Sequence, residues 1–201
     1  MSAESQSIKA TRGKGLLEPF LARKRAARAD TLISAELRSG RILDIGCGSY
    51  PYFLAHTSFR EKFAIDQLPP SVVGTEIHWH VLNLNEHAKL PFESGYLDVI
   101  TMLAVAEHLD PAGLEHLLKE AHRVLRPGGL IIITTPSSWS DGLLRLMARL
   151  NLVSAEEINE HVFAYTLPLL GWYFGRAGFE MRRVRFGYFE MGLNMWATAQ
   201  R

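Results

Sequence analysis

The segment RILDIGCG (residues 41–48) runs a short apolar strand into two glycines that are separated by a single residue. Glycine at such a turn can adopt a positive φ, and its missing Cβ lets a ligand touch the backbone. The next predicted strand, FAID, ends at Asp66, twenty residues after Gly46. A carboxylate at that spacing can accept hydrogen bonds from both hydroxyls of an adenosine ribose. The two strands therefore predict a nucleoside site, the alternative being a structural turn beside a surface aspartate.

Strands and helical segments alternate along the middle of the chain. Three further strands are predicted, at residues 77–82, 97–103 and 130–135. A helix is predicted from Pro111, with Asp110 as its N-cap, to the segment RPGG at 126–129. Strands separated by helices form βαβ units, which build a parallel sheet with helices on both faces.

The C-terminal region follows a different pattern. A helix is predicted at 166–177, closed by Gly178, and strands follow at 179–187 and 193–199. The residues that join these strands are too few for a parallel crossover, so the strands must pair antiparallel. The predicted fold class is α/β and doubly wound, with a mostly parallel seven-stranded sheet and an antiparallel C-terminal strand pair.

Length and composition favour one globular domain. The chain has 201 residues, of which 47% are hydrophobic and 21% are charged. We expect a single domain over 1–201, with a flexible lead at 1–15 and an N-terminal helix at 16–39. The formal net charge of +1 gives no reason to expect nucleic acid as a partner.

The single cysteine, Cys47, excludes an internal disulfide framework and fits a reducing compartment. We expect this side chain to be a small buried filler. The N-terminus lacks the apolar region of a signal peptide, and no apolar run is long enough to span a membrane. The expected location is the cytoplasm, and no metal site is predicted.

A dinucleotide fingerprint, G-x-G-x-x-G, requires a third glycine so that a pyrophosphate can approach the helix N-terminus. This chain has Pro51 at that position. The pocket therefore suits a nucleoside without a pyrophosphate. An NAD(P)-dependent oxidoreductase, for which the third glycine would be needed, remains an alternative.

Four segments in order along residues 40–137 resemble the motifs of class I S-adenosylmethionine-dependent methyltransferases of the small-molecule type. They are RILDIGCG, FAID, LPFESGYLDVITMLAVAEHLDP (90–111) and RVLRPGGLIIITTPS (123–137). The resemblance implies a Rossmann-like sheet, S-adenosyl-L-methionine as cofactor and a small-molecule methyl acceptor. A non-catalytic protein that binds S-adenosylmethionine is the other alternative, because these enzymes carry no invariant catalytic residue.

The resemblance also implies roles for individual residues. Gly46 and Gly48 line the methionine part of the cofactor, Asp66 binds the ribose, and Asp44 holds the turn or contacts the cofactor's amino group. Asn83 and Leu84 face adenine, and the main chain at Leu103 faces the methionine end. The full set of expected cofactor contacts is Asp44, Gly46, Cys47, Gly48, Tyr50, Asp66, Gln67, Asn83, Leu84 and Leu103.

Two positions depart from the family pattern. Tyr50 stands where the family has its third glycine, and its ring is expected near the cofactor or the acceptor. The usual aspartate after the third strand is replaced by Asn83, with Asn85 as a rival. An amide can still hydrogen-bond the adenine amino group. The second change therefore casts doubt on which residue contacts adenine and not on the identity of the cofactor.

Methyl transfer from a sulfonium is an in-line displacement, so the protein chiefly orients the reactants and, for a weak nucleophile, supplies a base. Histidine suits that task at neutral pH, and His108 and His161 are the two candidates, each with a structural role as the alternative. An oxygen or carbon acceptor is favoured, because no motif marks an amine or nucleic-acid substrate.

The connection at 137–165 is unusually long for this place in the chain. Apolar residues at helical spacing within it, including Leu143 and Met147, predict an amphipathic helix. We expect this segment to be a lid over the acceptor or, alternatively, a helix packed permanently on the body.

Overall fold

The computed structural model describes residues 17–71, 76–84, 89–150, 152–155 and 162–201. Seven strands of this described part form one sheet in the order β3-β2-β1-β4-β5-β7-β6. The strands are β1 (Arg41–Ile45), β2 (Glu61–Asp66), β3 (Ile77–Val81), β4 (Leu97–Leu103), β5 (Leu125–Pro136), β6 (Val184–Phe189) and β7 (Asn194–Gln200). The helices are α1 (Glu18–Thr31), α2 (Tyr52–His56), α3 (Pro111–Val124), α4 (Asp141–Arg149) and α5 (Leu167–Ala177).

The central strand β1 pairs in parallel with β2 on one side and with β4 on the other. Ile45, its last residue, is opposite Ile65 of β2 and Met102 of β4. The chain moves outward from β1 to β2 and β3, then returns to the other side of β1 with β4. This reversal opens a crevice beyond the carboxyl ends of β1 and β4, where ligands bind in open α/β sheets.

The C-terminal strands give the sheet its antiparallel part. Strand β7 is antiparallel to both β5 and β6, with Trp196 opposite Thr134 on one side and Gly187 on the other. The predicted fold class is confirmed. The first strand of the pair begins at Val184 and not at 179, because Met181–Arg183 form a 3₁₀ helix.

Helices cover both faces of the sheet. One face carries α3 and α5, which bury Leu114, Leu118 and Phe174 against it. The other face carries α1 and α2, which bury Ala29 and Leu54. Because both faces are covered, most side chains of the central strands are apolar, as in other parallel strands that are buried on two sides, and Asp44 of β1 and Thr101 of β4 are buried polar exceptions.

The helix expected over 16–39 is divided in the structure. Helix α1 ends at Thr31, whose hydroxyl donates to the Arg28 carbonyl at 2.7 Å, and a 3₁₀ helix follows at Ala35–Ser39. Arg38 holds the two pieces together, since it donates to the Asp30 carbonyl at 2.9 Å and pairs with the Asp30 carboxylate at 3.0 Å. The tertiary contact replaces continued helical hydrogen bonding.

Strand β5 begins at Leu125, five residues before its predicted start. Leu125 is opposite Leu97 of β4, and the Gly128 amide donates to the Arg201 carbonyl at 2.6 Å. The RPGG segment therefore ends α3 and enters the sheet at once. The flexible lead expected at 1–15 lies outside the described residues.

Within the described residues, no helix has the length and apolar character that a membrane crossing requires. Nor does this part of the chain hold three or more histidine, cysteine, aspartate or glutamate side chains grouped as metal ligands.

Candidate active site

The two glycines of the turn after β1 both have positive φ, +70° at Gly46 and +69° at Gly48, but for different reasons. A Cβ on Gly46 would lie 2.4 Å from a methyl group of Val105, so this glycine lets the turn pack against the segment after β4. A Cβ on Gly48 would meet nothing within 4 Å. Gly48 therefore presents bare backbone to open space at the carboxyl edge of the sheet.

Asp66 fastens this turn to the end of β2. One carboxylate oxygen accepts a hydrogen bond from the Gly48 amide at 2.8 Å, and the other accepts one from the Leu68 amide at 3.0 Å. The side chain is buried, with 2% of its surface exposed. A carboxylate can accept about four hydrogen bonds, so these two backbone bonds do not by themselves exclude a ribose hydroxyl as a further donor.

Asp44 lies beneath the turn, in the middle of the β1–β4 pair. The Thr101 hydroxyl donates to its carboxylate at 2.6 Å. Burial raises the pKa of Asp44 to about 7; the Thr101 hydrogen bond opposes this rise, and the negative charge of Asp66 adds to it. The turn thus stands above a buried carboxyl group that exchanges its proton near neutral pH.

The rest of the turn is tied to its surroundings by short contacts. The backbone N–H and the hydroxyl of Ser71 donate to the Ser49 carbonyl at 2.8 and 3.0 Å. The ring of Tyr50 is half-buried and meets the ring of Tyr52 edge-on, at 6.4 Å between centroids. The expectation that Cys47 is buried is wrong: it is half-buried, because it belongs to a turn at the open edge of the sheet.

The end of β4 contributes the opposite wall of the crevice. Leu103 is half-buried, and Ala104 has a φ of +58°, which is strained for a residue with a Cβ. The Ala104 amide donates to the Thr134 carbonyl of β5 at 2.9 Å. His108 follows at the end of a 3₁₀ helix, half-buried at the same edge. His161 lies outside the described residues.

The sequence reasoning did not single out Glu107, the residue before His108. Its side chain is 4% exposed, and one carboxylate oxygen is buried without a hydrogen-bond partner in the described part of the chain. Its carbonyl accepts the Val162 amide at 2.8 Å, which brings the segment before α5 to this edge. The sequence signal that could have identified Glu107 is the presence of an acidic residue within the apolar stretch LAVAEHL.

The residues expected near adenine follow β2 and β3. Gln67 is exposed after β2, and after β3 Asn83 is exposed while Leu84 is half-buried. The Leu82 amide donates to the Asp66 carbonyl at 3.0 Å, so the two strand ends lie together. Asn85 lies outside the described residues, and the choice between the two asparagines stays open.

The expected cofactor residues therefore meet at one edge, beyond the carboxyl ends of β1 to β4. The profile of the methyltransferase domain family matches residues 18–184 of this chain. The chain belongs to the class I S-adenosylmethionine-dependent methyltransferases.

Curated relatives share parts of this methyltransferase. An uncharacterized methyltransferase of Synechocystis sp. is 29% identical over 108 residues, which are 49% of this chain and 50% of the relative. A tRNA N(3)-methylcytidine methyltransferase of Drosophila melanogaster is 36% identical over 47 residues, 23% of this chain and 14% of the relative. The matches thus span half or less of these relatives.

Solved structures share the fold. A methyltransferase from Archaeoglobus fulgidus, described as SAM-dependent, superposes with a TM-score of 0.69 at 18% identity, covering 89% of this chain and 94% of that one. A methyltransferase from Mesorhizobium loti, described as S-adenosylmethionine dependent, gives 0.64 at 16% identity, covering 90% and 100%. These likenesses concern the architecture.

The residues of the crevice fit S-adenosylmethionine. The bare backbone at Gly48 admits a ligand atom where any side chain would project. Asp66 brings a carboxylate, a group that can accept hydrogen bonds from hydroxyls, to the end of β2, and Asp44 brings a second carboxyl group beneath the turn. The donor and acceptor set therefore matches a nucleoside with a charged amino-acid tail.

Proposed function

We propose that this methyltransferase transfers the methyl group of S-adenosylmethionine to an oxygen or carbon atom of a small-molecule acceptor. The arrangement of Asp66 carries the cofactor-binding part of the proposal, because it accepts hydrogen bonds from the Gly48 and Leu68 amides and so holds the open turn at the sheet's switch point. When bound, the cofactor supplies a methyl group on a positively charged sulfur, which is already a good leaving group.

The chain's own contribution is to hold and orient. Asp66 accepts the ribose hydroxyls, and Gly46 and Gly48 receive the methionine part along bare backbone. Asp44 supports the turn from below or meets the amino group, and its proton equilibrium near neutral pH suits either role. The remaining proposed contacts are Cys47, Tyr50, Gln67, Asn83, Leu84 and the main chain at Leu103.

Exposed apolar side chains at the same edge support a small acceptor with an apolar part. Trp139, in the 3₁₀ helix after β5, is 60% exposed, and Phe163, before α5, is 36% exposed. Met191, in the link between β6 and β7, is 95% exposed. All three connections leave the carboxyl edge, where large uncovered apolar groups are typical of a binding surface.

The link between β6 and β7 adds a strained element to this edge. Glu190, Met191 and Gly192 all have positive φ, and only the last is a glycine. The Ser137 hydroxyl donates to the Gly192 carbonyl, and a Cβ on Gly192 would lie 3.4 Å from the Trp139 ring. The link and the start of the 137–165 connection thus form one unit, which supports the proposal that this connection bounds the acceptor.

A proton acceptor is needed where the acceptor is a hydroxyl or a carbon acid. His108 and His161 remain the proposed bases, with structural roles as the alternative. A nucleic-acid base as acceptor has less support, because the sequence contains no Asn-Pro-Pro-aromatic segment and its net charge is +1.

The decisive measurement is calorimetric titration of S-adenosylmethionine into the wild type, Asp66→Ala and the control Asp30→Ala. Asp30 is a half-exposed carboxylate on α1 that pairs with Arg38 on the surface. We expect Asp66→Ala to lose affinity by about tenfold or more, since hydrogen bonds to a charged group contribute about 1.5–3 kcal/mol. Asp30→Ala is expected to bind like the wild type. Absence of wild-type binding at millimolar cofactor would refute the proposal.

The acceptor class is tested by transfer of a labelled methyl group to a small-molecule extract and, separately, to tRNA. Small molecules that carry the labelled methyl group on oxygen or carbon, identified by NMR of the product, support the proposal; label on nitrogen or sulfur, or labelled tRNA, contradicts it. Cofactor binding without transfer to either pool favours the non-catalytic alternative. Fluorescence enhancement of NADH by the protein would favour the oxidoreductase.

A further inference from the structure

A second cavity lies away from the crevice, on the face of the sheet that carries α1. It has a volume of about 380 Å³ and lies between the end of α1 and the β6–β7 hairpin. Its floor includes Leu130, which is near the amino end of the parallel strands. Its polar lining includes Arg182, Arg183, Arg185, Trp196, Thr198 and Gln200. The volume is in the range of small-ligand sites.

The guanidinium of Arg185 is held in place by the backbone. One of its terminal nitrogens, Nη1, donates to the carbonyls of Arg182 at 2.8 Å and Val184 at 3.0 Å. Its Nε and Nη2 groups make no hydrogen bond within the described part of the chain. A guanidinium fixed in this way keeps a planar pair of donors for an anion and loses little entropy when it binds one.

Trp196 supplies a second anchored donor. Its indole lies over Gly187, where a Cβ would be 2.6 Å from the ring nitrogen, and the Arg28 guanidinium lies over the ring at 4.7 Å. Both the indole nitrogen and Nε of Arg28 are buried without a hydrogen-bond partner among the described residues. Trp196 lines the cavity, whereas Arg28 lies behind its ring and is not part of the lining. Buried donors of this kind are normally paired, so the unpaired indole N–H of a lining residue favours an acceptor that the protein binds from outside.

The charge of the cavity is positive. None of its described lining residues is acidic, and three are arginines. Glu180 contacts Arg182 and lies 3.7 Å from Arg183, so one carboxylate partly offsets these two cations. Arg185 and Arg28 have no carboxylate contact in the described structure.

From these observations we propose that the cavity between α1 and the β6–β7 hairpin binds the phosphate group of a small molecule. Arginine forks match phosphate oxygens in pairs, and the indole N–H adds a neutral donor. Thr198 and Gln200 of β7 supply further polar groups on the same face. Leu130 and Gln200 of the lining are partners at the amino end of the parallel strands, whereas the cofactor crevice lies beyond their carboxyl ends.

The test is titration of inorganic phosphate, followed by ³¹P NMR and by thermal unfolding, with chloride adjusted to keep the ionic strength constant. Arg185→Gln removes the fixed guanidinium, and Trp196→Phe keeps a ring for Arg28 while removing the indole N–H. The matched control is Arg176→Gln, because Arg176 is an exposed arginine on α5 that pairs with Glu115 on the other face.

We expect saturable phosphate binding to the wild type and the control. Arg185→Gln should weaken it by about tenfold or more and Trp196→Phe by about fivefold, in line with the loss of charged and neutral hydrogen bonds. Cofactor affinity should stay unchanged in both variants, which also shows that they are folded. Absence of saturation in the wild type, or equal binding by Arg185→Gln and the wild type, overturns the proposal.

A second arm distinguishes the sources of the phosphate. Glycerol phosphate that binds more tightly than inorganic phosphate identifies a phosphate ester as the ligand, and equal affinity identifies the free ion; both agree with the proposal. An RNA oligonucleotide that binds through Arg185 while neither small phosphate binds contradicts it and assigns the surface to nucleic acid.

Discussion

The Thr101 hydroxyl donates a hydrogen bond of 2.6 Å to the buried carboxyl group of Asp44, and so joins β4 to β1 below the glycine turn. The two residues are direct partners in the parallel register. Among the described residues, Thr101 is the only one whose hydroxyl group donates a hydrogen bond to Asp44. This hydrogen bond partly offsets the free-energy cost of burying a carboxylate.

The pKa of Asp44 makes a prediction about stability. Because the folded pKa is about 7 and the ordinary value is 3.8, the folded state holds this proton more tightly than the unfolded chain. The free energy of unfolding should therefore fall as the pH rises from about 4 to 7, by about 4 kcal/mol for this group, and change little above. Denaturant unfolding of the wild type and Asp44→Asn across this range measures the effect as their difference.

In Asp44→Asn the fall in the free energy of unfolding between pH 4 and 7 should be smaller by about 4 kcal/mol than in the wild type. The reason is that an amide carries no charge at any of these pH values. Thr101→Val is the companion variant: without its donor, the decline should extend to higher pH. Parallel pH profiles for the wild type and Asp44→Asn would show that folding does not raise the pKa of this carboxyl group, and would contradict the prediction.

The two turn glycines should respond differently to alanine. Gly46→Ala places a Cβ against Val105 and should lower the melting temperature strongly, whereas Gly48→Ala has space and adds only the left-handed strain of about 1–2 kcal/mol. Gly48→Ala should nevertheless weaken cofactor binding, because its methyl group occupies the open face. Thermal unfolding and calorimetry together separate these effects. Equal loss of stability in both variants would contradict the packing assigned to Gly46.

The N-cap side chains of α3 and α5 make hydrogen bonds of different length. Asp110 accepts the Gly113 amide at 2.6 Å, whereas Thr166 accepts the Leu169 amide at 3.4 Å. Removal of a capping side chain costs about 1 kcal/mol on average, and we expect Asp110→Ala to exceed that and Thr166→Ala to fall below it. Urea unfolding at neutral pH checks the order. The reverse order would mean that the Asp110 bond contributes little.

His108→Asn tests the role of the half-buried histidine. If His108 is a general base, its replacement by asparagine should lower kcat by about 10²–10⁴-fold while cofactor affinity stays constant. As a structural residue, it should lower the melting temperature and leave the pH dependence of kcat unchanged. The measurement is a pH profile of methyl transfer for both proteins, once an acceptor is found.

Much of the sheet could be predicted because its central strands follow from local sequence patterns. The predicted bounds of β4, 97–103, agree with the structure, since a strand buried on both faces is rich in apolar residues. The antiparallel pairing of β6 and β7 followed from the shortness of their link alone. These are local or topological constraints, and both can be read from a single sequence.

The features that were missed depend on contacts between distant residues. The break between α1 and the 3₁₀ helix depends on Arg38 reaching back to Asp30, and the early start of β5 depends on Arg201. Helix α2, directly after Pro51, was not predicted, because five residues are too few to show a periodic pattern. The cavity beside Trp196 could not be predicted, since it requires the register that sets the indole over Gly187.

The hydrogen bonds by which Asp66 holds the turn affect both the association rate and the affinity of a ligand that binds there. Bonds from Asp66 and Ser71 order the turn in the protein alone, so the conformational entropy of that segment is lost during folding and not during association. A preorganised turn needs no slow rearrangement after encounter. Association at this edge should therefore follow a single concentration-dependent step, limited by diffusion and orientation.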